Sequence, residues 1–249
     1  MEQMKASAPA HVDGLRSILG KYGVPKHARI LDLASGIGRI SIGLARAGYV
    51  VVGVDISPLY LGLAKMWAEK ERVGSNAQFY RMDTRRVAQL LGKKGARFDA
   101  IISIGTSLGY HGEAEDERTF RGLREVASPR ALLIIETVNR DYLVRHFREH
   151  DVSERDGVVW HDNRKLDLES SFMNNNWKFY RKTKRSLRLV SEIQVSHRVY
   201  SLHELKTLVD SSGWDYVDSY GSLRELTPLT MESFHMTLVA RRRAPTSKI

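Results

Sequence analysis

Short apolar runs alternate with helix-type patterns along the first half of the chain. Apolar runs, typical of strands buried in a parallel sheet and in several cases ending in an acid, lie at 30–32, 50–55, 100–104 and 131–136, and a short strand pattern lies at 77–81. Between them, apolar positions at helical spacing predict crossover helices. Ser57 and Pro58 mark one helix start, because serine is a favoured N-cap and proline fits the first helical position. Regular alternation of strand and helix predicts an α/β fold with a doubly wound, mostly parallel sheet.

The alternation stops between residues 142 and 198. Short strand patterns at 158–160, 166–168, 177–180 and 187–195, with a turn at 173–176, predict a small antiparallel β cap inserted after strand five. A helix over 200–209 and strands at 214–220 and 234–240 then complete a seven-stranded core. The predicted organisation is a core with a leading helix (1–141), the cap (142–198), the rest of the core (199–241) and a disordered basic tail (242–249). Residues 1–9 are also predicted to be disordered.

The first strand ends in an acid and is followed by a glycine turn. Asp32 precedes Gly36 and Gly38, and a helix begins at Arg39. Glycines allow a ligand to approach the backbone closely, and a helix start offers unpaired N–H groups. A dinucleotide site has a third glycine where this chain has Ser41, and Asp32 would repel a diphosphate. The acid suits a ligand that carries an ammonium and a sulfonium, as S-adenosylmethionine does.

The second strand also ends in an acid. Asp55 follows the glycine turn by about one βαβ unit, the spacing at which a carboxylate accepts both hydroxyls of a ribose. Asp32 alone could be a structural turn cap. The combination of the two acids with the glycine turn favours a nucleoside site.

These motifs, in this order, resemble those of the class I S-adenosylmethionine-dependent methyltransferases, whose first motif reads acid-x-G-x-G-x-G. Ala34 stands at the first glycine position, and the interpretation is that alanine tolerates a strand-end conformation there. Residues 81–84 resemble the family's adenine-binding segment, and residues 98–104 resemble its fourth strand. Segments 105–110, 138–143 and 197–205 extend the resemblance, over nearly the whole chain, to a branch of small prokaryotic methyltransferases of unassigned substrate.

The resemblance implies S-adenosylmethionine as cofactor and S-adenosylhomocysteine as product. It implies that Asp55 binds the ribose, that Asp83 and Thr84 bind adenine with Ile56 beside it, and that Ile104 contacts the cofactor beyond strand four. It also implies that the seventh strand runs antiparallel between its neighbours. The residues implied for the methionyl end are Asp32, Ala34, Ser35, Gly36 and Gly38.

Candidates for the acceptor side follow strands four and five, because ligands of open parallel sheets bind beyond the carboxyl ends of the strands. They are Tyr110, His111, Asn139 and Arg140. His111 is either a base or a solvent-facing loop residue, and Tyr110 would shape the pocket. Arg140 would bind an acceptor carboxylate or phosphate, or form an ordinary salt bridge. We expect in-line transfer of a methyl group to nitrogen or oxygen of a small molecule, with the protein supplying position.

The charge of the chain keeps a second substrate class open. The 249 residues include 39 Lys and Arg against 29 Asp and Glu, a net charge of +10. Basic and aromatic side chains are interleaved over residues 177–188, a composition that can bind RNA phosphates and stack on bases. The weaker alternative is therefore an RNA methyltransferase that uses this segment. The competing interpretation is a strand whose charges are simply solvated.

Composition limits the remaining possibilities. The absence of cysteine excludes disulfides and thiolate metal sites, and the nine histidines show no metal-binding spacing. No signal-type segment or membrane span is evident, so we expect a cytoplasmic protein with no membrane partner. Two further alternatives are a non-catalytic cofactor-binding protein, since no base is obvious, and an NAD-dependent dehydrogenase, against which Ser41 and Asp32 count.

Overall fold

Helices and strands alternate through the first half of the chain and again near its end. The computed structural model describes residues 7–183 and 185–244. Its helices are α1 (Ala8–Lys21), α2 (Arg39–Arg46), α3 (Pro58–Lys70), α4 (Val87–Gly92), α5 (Glu113–Leu123), α6 (Arg140–Arg145) and α7 (Leu202–Ser211). Its strands are β1 (Arg29–Leu33), β2 (Val50–Asp55), β3 (Ala77–Arg81), β4 (Phe98–Ile104), β5 (Ala127–Val138), β6 (His150–Arg155), β7 (Val158–Leu166), β8 (Phe172–Lys182), β9 (Leu187–Arg198), β10 (Trp214–Tyr220) and β11 (His235–Arg242).

Seven strands form one sheet in the order β10-β11-β5-β4-β1-β2-β3. The pairs among β1 to β5 are parallel, and β11 lies antiparallel between β5 and β10. These pairings confirm the predicted doubly wound sheet and its antiparallel seventh strand. The carboxyl ends of β1, β2, β4 and β5 meet at one edge, here called the carboxyl edge, where such sheets bind ligands.

Two helical layers cover the two faces of the sheet. One apolar core joins the strands to α1, α2 and α3, and the other joins them to α4, α5 and α7. Strand residues alternate between the two faces. Ile30 and Ile134 pack on the α1–α3 side, so Asp32 and Glu136, two residues further along β1 and β5, also face that side.

The cap is a separate antiparallel sheet in the order β6-β7-β8-β9. It confirms the predicted insertion after β5, but two local predictions are wrong. Residues 173–176 form part of β8, because the amide-rich segment pairs on both sides; Asn175 lies opposite both Arg164 and Val195. Residues 167 and 168 do not continue β7, because the Asp167 side chain accepts hydrogen bonds from the backbone N–H of Glu169 and the hydroxyl of Ser170 and so forms a turn.

Four residues near the two ends belong to ordered structure where the sequence predicts disorder, namely residues 8, 9, 242 and 243. α1 begins at Ala8, which corrects the predicted disorder for residues 8 and 9; residues 1–6 lie outside the described part. Arg242 belongs to β11, and Arg243 forms ion pairs with Asp210 and Asp215, so the predicted disordered tail is wrong for these two residues. Residues 245–249 are not described. Among helices in the described ranges, none is both long and apolar enough to cross a membrane.

Candidate cofactor site

The glycine turn between β1 and α2 has left-handed backbone at three positions. The φ angle is 53° at Ala34, 56° at Gly36 and 77° at Gly38. A side chain at Gly38 would meet Phe79 Cζ at 2.7 Å, whereas one at Gly36 would meet nothing within 4 Å. Gly38 is therefore required for packing, and Gly36 leaves the turn open to a ligand. Ala34 is strained, because left-handed backbone costs a non-glycine residue about 1–2 kcal/mol, so the interpretation of an ordinary strand-end conformation is wrong.

The acid of this motif lies beneath the turn. Asp32 is buried, and the Ser41 hydroxyl donates a hydrogen bond to its carboxylate at 2.6 Å. Burial raises the pKa of Asp32 to about 7, although the Ser41 hydrogen bond and the charge of Arg39 oppose the shift. Serine at the third glycine position thus holds the buried acid. A role for Asp32 at the methionyl end stays a prediction.

The acid of the second motif borders the turn directly. Asp55 accepts hydrogen bonds from the backbone N–H of Gly36 and of Ser57, each at 2.8 Å, through different carboxylate oxygens. A carboxylate has further lone pairs, so both oxygens keep capacity for ribose hydroxyls. The next residue, Ile56, is 67% exposed although it is aliphatic. An exposed isoleucine beside an oriented carboxylate is what a nucleoside subsite requires.

A cavity of about 280 Å³ opens at the carboxyl edge on the α5 side of the sheet. It brings together six of the predicted site residues, namely Ala34, Ile56, Asp83, Thr84, Tyr110 and His111. Two others lie elsewhere. The Ser35 hydroxyl lies over Gly53 and has no hydrogen-bond partner in the described chain. Ile104 packs in the core on the α1–α3 side, so a cofactor contact by either side chain stays a prediction.

Arg85 engages the predicted adenine-binding acid. Its Nε lies 3.0 and 3.1 Å from the two carboxylate oxygens of Asp83, and its Nη2 also pairs with that carboxylate. The Arg85 hydrogen bonds hold the pKa of Asp83 down, at about 2, against the effect of partial burial. An adenine amino group would have to share Asp83 with this arginine.

Tyr110 lies between the cavity and the cap. Its ring stacks on that of His197, at the end of β9, with centroids 5.3 Å apart. Burial lowers the pKa of His197, and its Nδ1 is buried with no hydrogen-bond partner among residues 7–183 and 185–244. His111 lines the same cavity and is exposed. The sequence pattern allows either His197 with Val199 or Arg198 with Tyr200 to face substrate, and the contact with Tyr110 favours His197 as an acceptor-side candidate.

A buried acid joins the cap to the core beside this cavity. Asp116 in α5 accepts hydrogen bonds from the Tyr200 hydroxyl at 2.7 Å and from the Gly109 N–H at 3.0 Å. Burial raises the pKa of Asp116 to about 6 despite these hydrogen bonds. Gly109 also accepts a hydrogen bond from the Arg198 N–H at 3.0 Å. The end of β9 is therefore fixed to the loop that carries Tyr110.

The two candidates after β5 have structural partners and do not line the cavity. Asn139 is buried; its Oδ1 caps α6 by accepting from the Asp141 N–H, and its Nδ2 donates to the carbonyls of Thr230 and Ser233. Arg140 donates from Nε to the Ser171 hydroxyl at 2.8 Å, which ties α6 to the cap. These contacts give Asn139 and the Nε of Arg140 structural roles, and a catalytic role for either residue stays a prediction.

A second polar cluster lies at the carboxyl edge on the α1–α3 side. Glu136, at the end of β5, is 4% exposed, and its carboxylate lies 3.6 Å from His11 Nε2. Burial raises the pKa of Glu136 to about 7, opposed by Arg39 and Arg224. No described group donates a hydrogen bond to this carboxylate. The sequence carried a signal for Glu136, since it ends an apolar strand as Asp32 and Asp55 do.

Comparison with known proteins identifies the core. A sequence model of the methyltransferase domain matches residues 30–130. YqeM of Bacillus subtilis (strain 168), which carries a provisional methyltransferase name, is 30% identical over 141 residues, covering 55% of this chain and 54% of YqeM. Residues 30–130 therefore match a methyltransferase domain. The chain spans about half the length of the curated relatives it matches.

Solved methyltransferase structures share the fold over nearly the whole chain. CcbJ from Streptomyces caelestis has a TM-score of 0.80 at 17% identity, covering 96% of this chain and 90% of CcbJ. CalS10 from Micromonospora echinaspora, an amino pentose methyltransferase with S-adenosylmethionine bound, has a TM-score of 0.64 at 17% identity and covers 94% and 91%. These likenesses place the segments outside residues 30–130, including the cap, in the same methyltransferase fold.

The side chains present fit the cofactor of the methyltransferase domain. The turn is open at Gly36, Asp55 has lone pairs available at the ribose position, and Ile56 exposes an apolar surface beside the cavity. Asp83 and Thr84 lie in that cavity where adenine is expected. The site therefore offers separate groups for the methionyl arm, the ribose and the adenine of the cofactor.

Proposed function

We propose that this chain is an S-adenosylmethionine-dependent methyltransferase that acts on nitrogen or oxygen of a small molecule. The observation that carries the proposal is the open turn at Gly36 hydrogen-bonded to Asp55, next to the cavity that contains Ile56 and Asp83. CalS10, which shares the fold, acts on an amino pentose, and that favours a small acceptor.

The residues of this chain mainly hold the cofactor and the acceptor in the orientation that methyl transfer requires, and they supply few reactive groups. S-adenosylmethionine, when bound, supplies a methyl group on a positively charged sulfur. Asp55 would fix the ribose, and Asp83 with Thr84 would fix the base, so that the cofactor has one orientation. Tyr110 lines the cavity and stacks on His197 of the cap, and this contact would help to position an acceptor beside the cofactor. Orientation of this kind can supply much of the rate enhancement of a displacement reaction.

His111 is the proposed proton acceptor for a hydroxyl substrate. It lines the cavity, it is exposed, and no described group makes a hydrogen bond with its ring. A free imidazole nitrogen can accept the proton that a hydroxyl group loses when its oxygen is methylated. An amine acceptor needs only to arrive unprotonated, and in that case His111 would be dispensable.

Calorimetry with S-adenosylmethionine tests the proposal. We expect measurable binding by the wild type, and Asp55→Ala should weaken it roughly 100-fold, because two hydrogen bonds to a charged group are lost. Asp99→Ala is the matched control, since Asp99 lies at the opposite edge of the sheet and, within the described ranges, accepts a hydrogen bond from the Arg29 N–H alone. Wild-type protein that shows no binding would defeat the proposal. Transfer of labelled methyl groups to a panel of amines and alcohols would then define the acceptor.

The RNA alternative keeps one supporting observation. Within the basic segment, Lys178 and Lys182 pair with Glu192 and Glu154, but Arg181, Arg185 and Arg188 are exposed without ion pairs in the described chain. Lys184 lies outside the described residues. Salt-sensitive binding of tRNA that disappears when the three arginines are changed to glutamine would favour an RNA substrate. Binding that survives this change would reject the segment as an RNA site.

A further inference from the structure

We propose that Glu136 binds the α-ammonium group of the cofactor's methionyl arm, with Arg39 beside it to receive the carboxylate. This inference rests on the proposed function. In the proposed function, the glycine turn after β1 and Asp55 at the end of β2 bind the cofactor. The further inference adds Glu136, a residue of β5, to this site. The starting observation is that Glu136, at 4% exposure, has no hydrogen-bond donor among the described residues.

His11 does not donate a hydrogen bond to the Glu136 carboxylate. Its Nδ1 lies 2.8 Å from the Ser7 carbonyl and must carry a proton to make that hydrogen bond. Arg224 Nε donates to His11 Nε2 at 3.4 Å, which leaves Nε2 unprotonated and unable to donate to Glu136. Burial also lowers the pKa of His11, and Arg39, Arg224 and His235 add to that effect. A buried carboxylate without a donor is costly, so a cationic donor at this position would be strongly favoured.

The order of strands leads from the ribose position to Glu136. Along the carboxyl edge the strands follow as β2, β1, β4 and β5, and neighbouring strands are about 4.8 Å apart. Asp55 on β2 and Glu136 on β5 are therefore separated by roughly 14 Å of edge, the scale of an extended nucleoside with an amino-acid arm. Gly105, which follows β4, lies between them and has no side chain to block the path.

Arg39 supplies the complementary charge. A side chain at Gly105 would lie 3.5 Å from Arg39 Nη2, so the guanidinium is above the end of β4. Burial raises the pKa of Asp32 and of Glu136, and the positive charge of Arg39 opposes that rise at both carboxyl groups. A zwitterionic amino-acid group needs one cation and one unpaired anion side by side, and Arg39 with Glu136 provides them.

The position of the cap argues against an acceptor amine as the ligand of Glu136. The cap joins the core through Tyr110 with His197 and through the Arg198 N–H with the Gly109 carbonyl, next to the cavity on the α5 side. Glu136 faces α1 on the other side of the sheet, where it meets His11. A small acceptor held beneath the cap would therefore approach from the opposite face.

Two ligands separate this proposal from its alternatives. S-adenosylhomocysteine carries the amino-acid arm, whereas 5′-methylthioadenosine has the same nucleoside without that arm. By calorimetry, Glu136→Gln should weaken S-adenosylhomocysteine at least tenfold and leave methylthioadenosine within twofold. Glu69→Gln, on the exposed face of α3, is the control and should change neither. Glutamine has the shape of glutamate, so the variant should fold, as a thermal melt would verify.

Each outcome is decisive. Unchanged affinity of Glu136→Gln for S-adenosylhomocysteine, or an equal loss for both ligands, would overturn the inference and leave the proposed function intact. Wild-type protein that binds neither ligand would overturn the proposed function as well. A second readout is proton release. Near pH 6.5 the wild type should release protons on binding S-adenosylhomocysteine but not methylthioadenosine, because the bound ammonium stabilises ionised Glu136; Glu136→Gln should release none.

Discussion

Arg85 holds both carboxylate oxygens of Asp83, with Nε at 3.0 and 3.1 Å. Asp83 is the acid expected to accept the adenine amino group, so two donors are directed at one carboxylate. The ion pair is partly exposed, with side chains 38% and 24% accessible, and pairs of this kind contribute at most about 1 kcal/mol. Its strength is therefore small enough for a ligand to displace.

Arg85→Met should strengthen binding of the adenosine moiety. Release of Asp83 removes competition worth up to about 1 kcal/mol, so affinity for methylthioadenosine should rise up to about fivefold. Arg86→Met is the control, because Arg86 is the neighbouring exposed arginine without an ion pair in the described chain. Isothermal calorimetry would measure both. Weaker binding by Arg85→Met alone would mean that Arg85 itself contacts the nucleoside.

Ala34→Gly should stabilise the protein. Ala34 has a φ of 53°, where glycine is unstrained, but glycine also gains freedom in the unfolded chain. The net gain should be about 0.5–1 kcal/mol in the free energy of unfolding, measured with urea. Ala47→Gly is the comparison, since Ala47 has an ordinary φ of −79° and should yield no gain. A loss of stability at position 34 would show that its methyl group is needed for packing.

The core could be predicted because local and tertiary signals agree there. The runs at 50–55 and 77–81 coincide with β2 and β3, and Ser57 caps α3 by accepting from the Tyr60 N–H. In the cap, the local and tertiary signals conflict. The local turn preference of asparagine predicted a turn at 173–176, but pairing with β7 and β9 on both sides keeps that segment extended.

In the candidate site, too, features encoded by local sequence could be predicted, and features that depend on tertiary contacts could not. Asp55 and Gly36 were predictable because strand-end acids and glycine turns are local features. The structural roles of Asn139 and Arg140 were not, since they depend on the Thr230 and Ser233 carbonyls and on Ser171, which only the fold brings near. That no described group donates a hydrogen bond to the Glu136 carboxylate likewise follows from how His11 and Arg224 are oriented, and no sequence spacing encodes that.

Tyr200→Phe should loosen the junction between cap and core. The Tyr200 hydroxyl donates to the buried carboxylate of Asp116 at 2.7 Å, and its loss leaves that acid with one donor. We expect a loss of about 1–3 kcal/mol in the free energy of unfolding. Tyr60→Phe is the control, because Tyr60 is 47% exposed and makes no hydroxyl hydrogen bond in the described chain. Equal stability of the two variants would contradict a stabilising role for this contact.

The Glu136 carboxylate should make stability depend on pH in a direction unusual for an acid. Its pKa is raised by burial to about 7 from an ordinary value of 4.5, so as pH rises the unfolded chain loses this proton first. The stability contributed by the protonated form is therefore present below about pH 4.5, declines between pH 4.5 and 7, and is absent above. The shift corresponds to at most about 3 kcal/mol.

Glu136→Gln removes this titration while it keeps the shape of the side chain. The groups whose charges act on Glu136 or its partner His11, namely Arg39, Arg224 and His235, are unchanged, so their own contributions largely cancel between variant and wild type. The variant should match the wild type near pH 4.5 and exceed it by up to about 3 kcal/mol at pH 8, measured by urea unfolding across that range. Glu69→Gln should follow the wild type at every pH. A Glu136→Gln advantage that is constant with pH would mean that Glu136 keeps an ordinary pKa and has a donor after all.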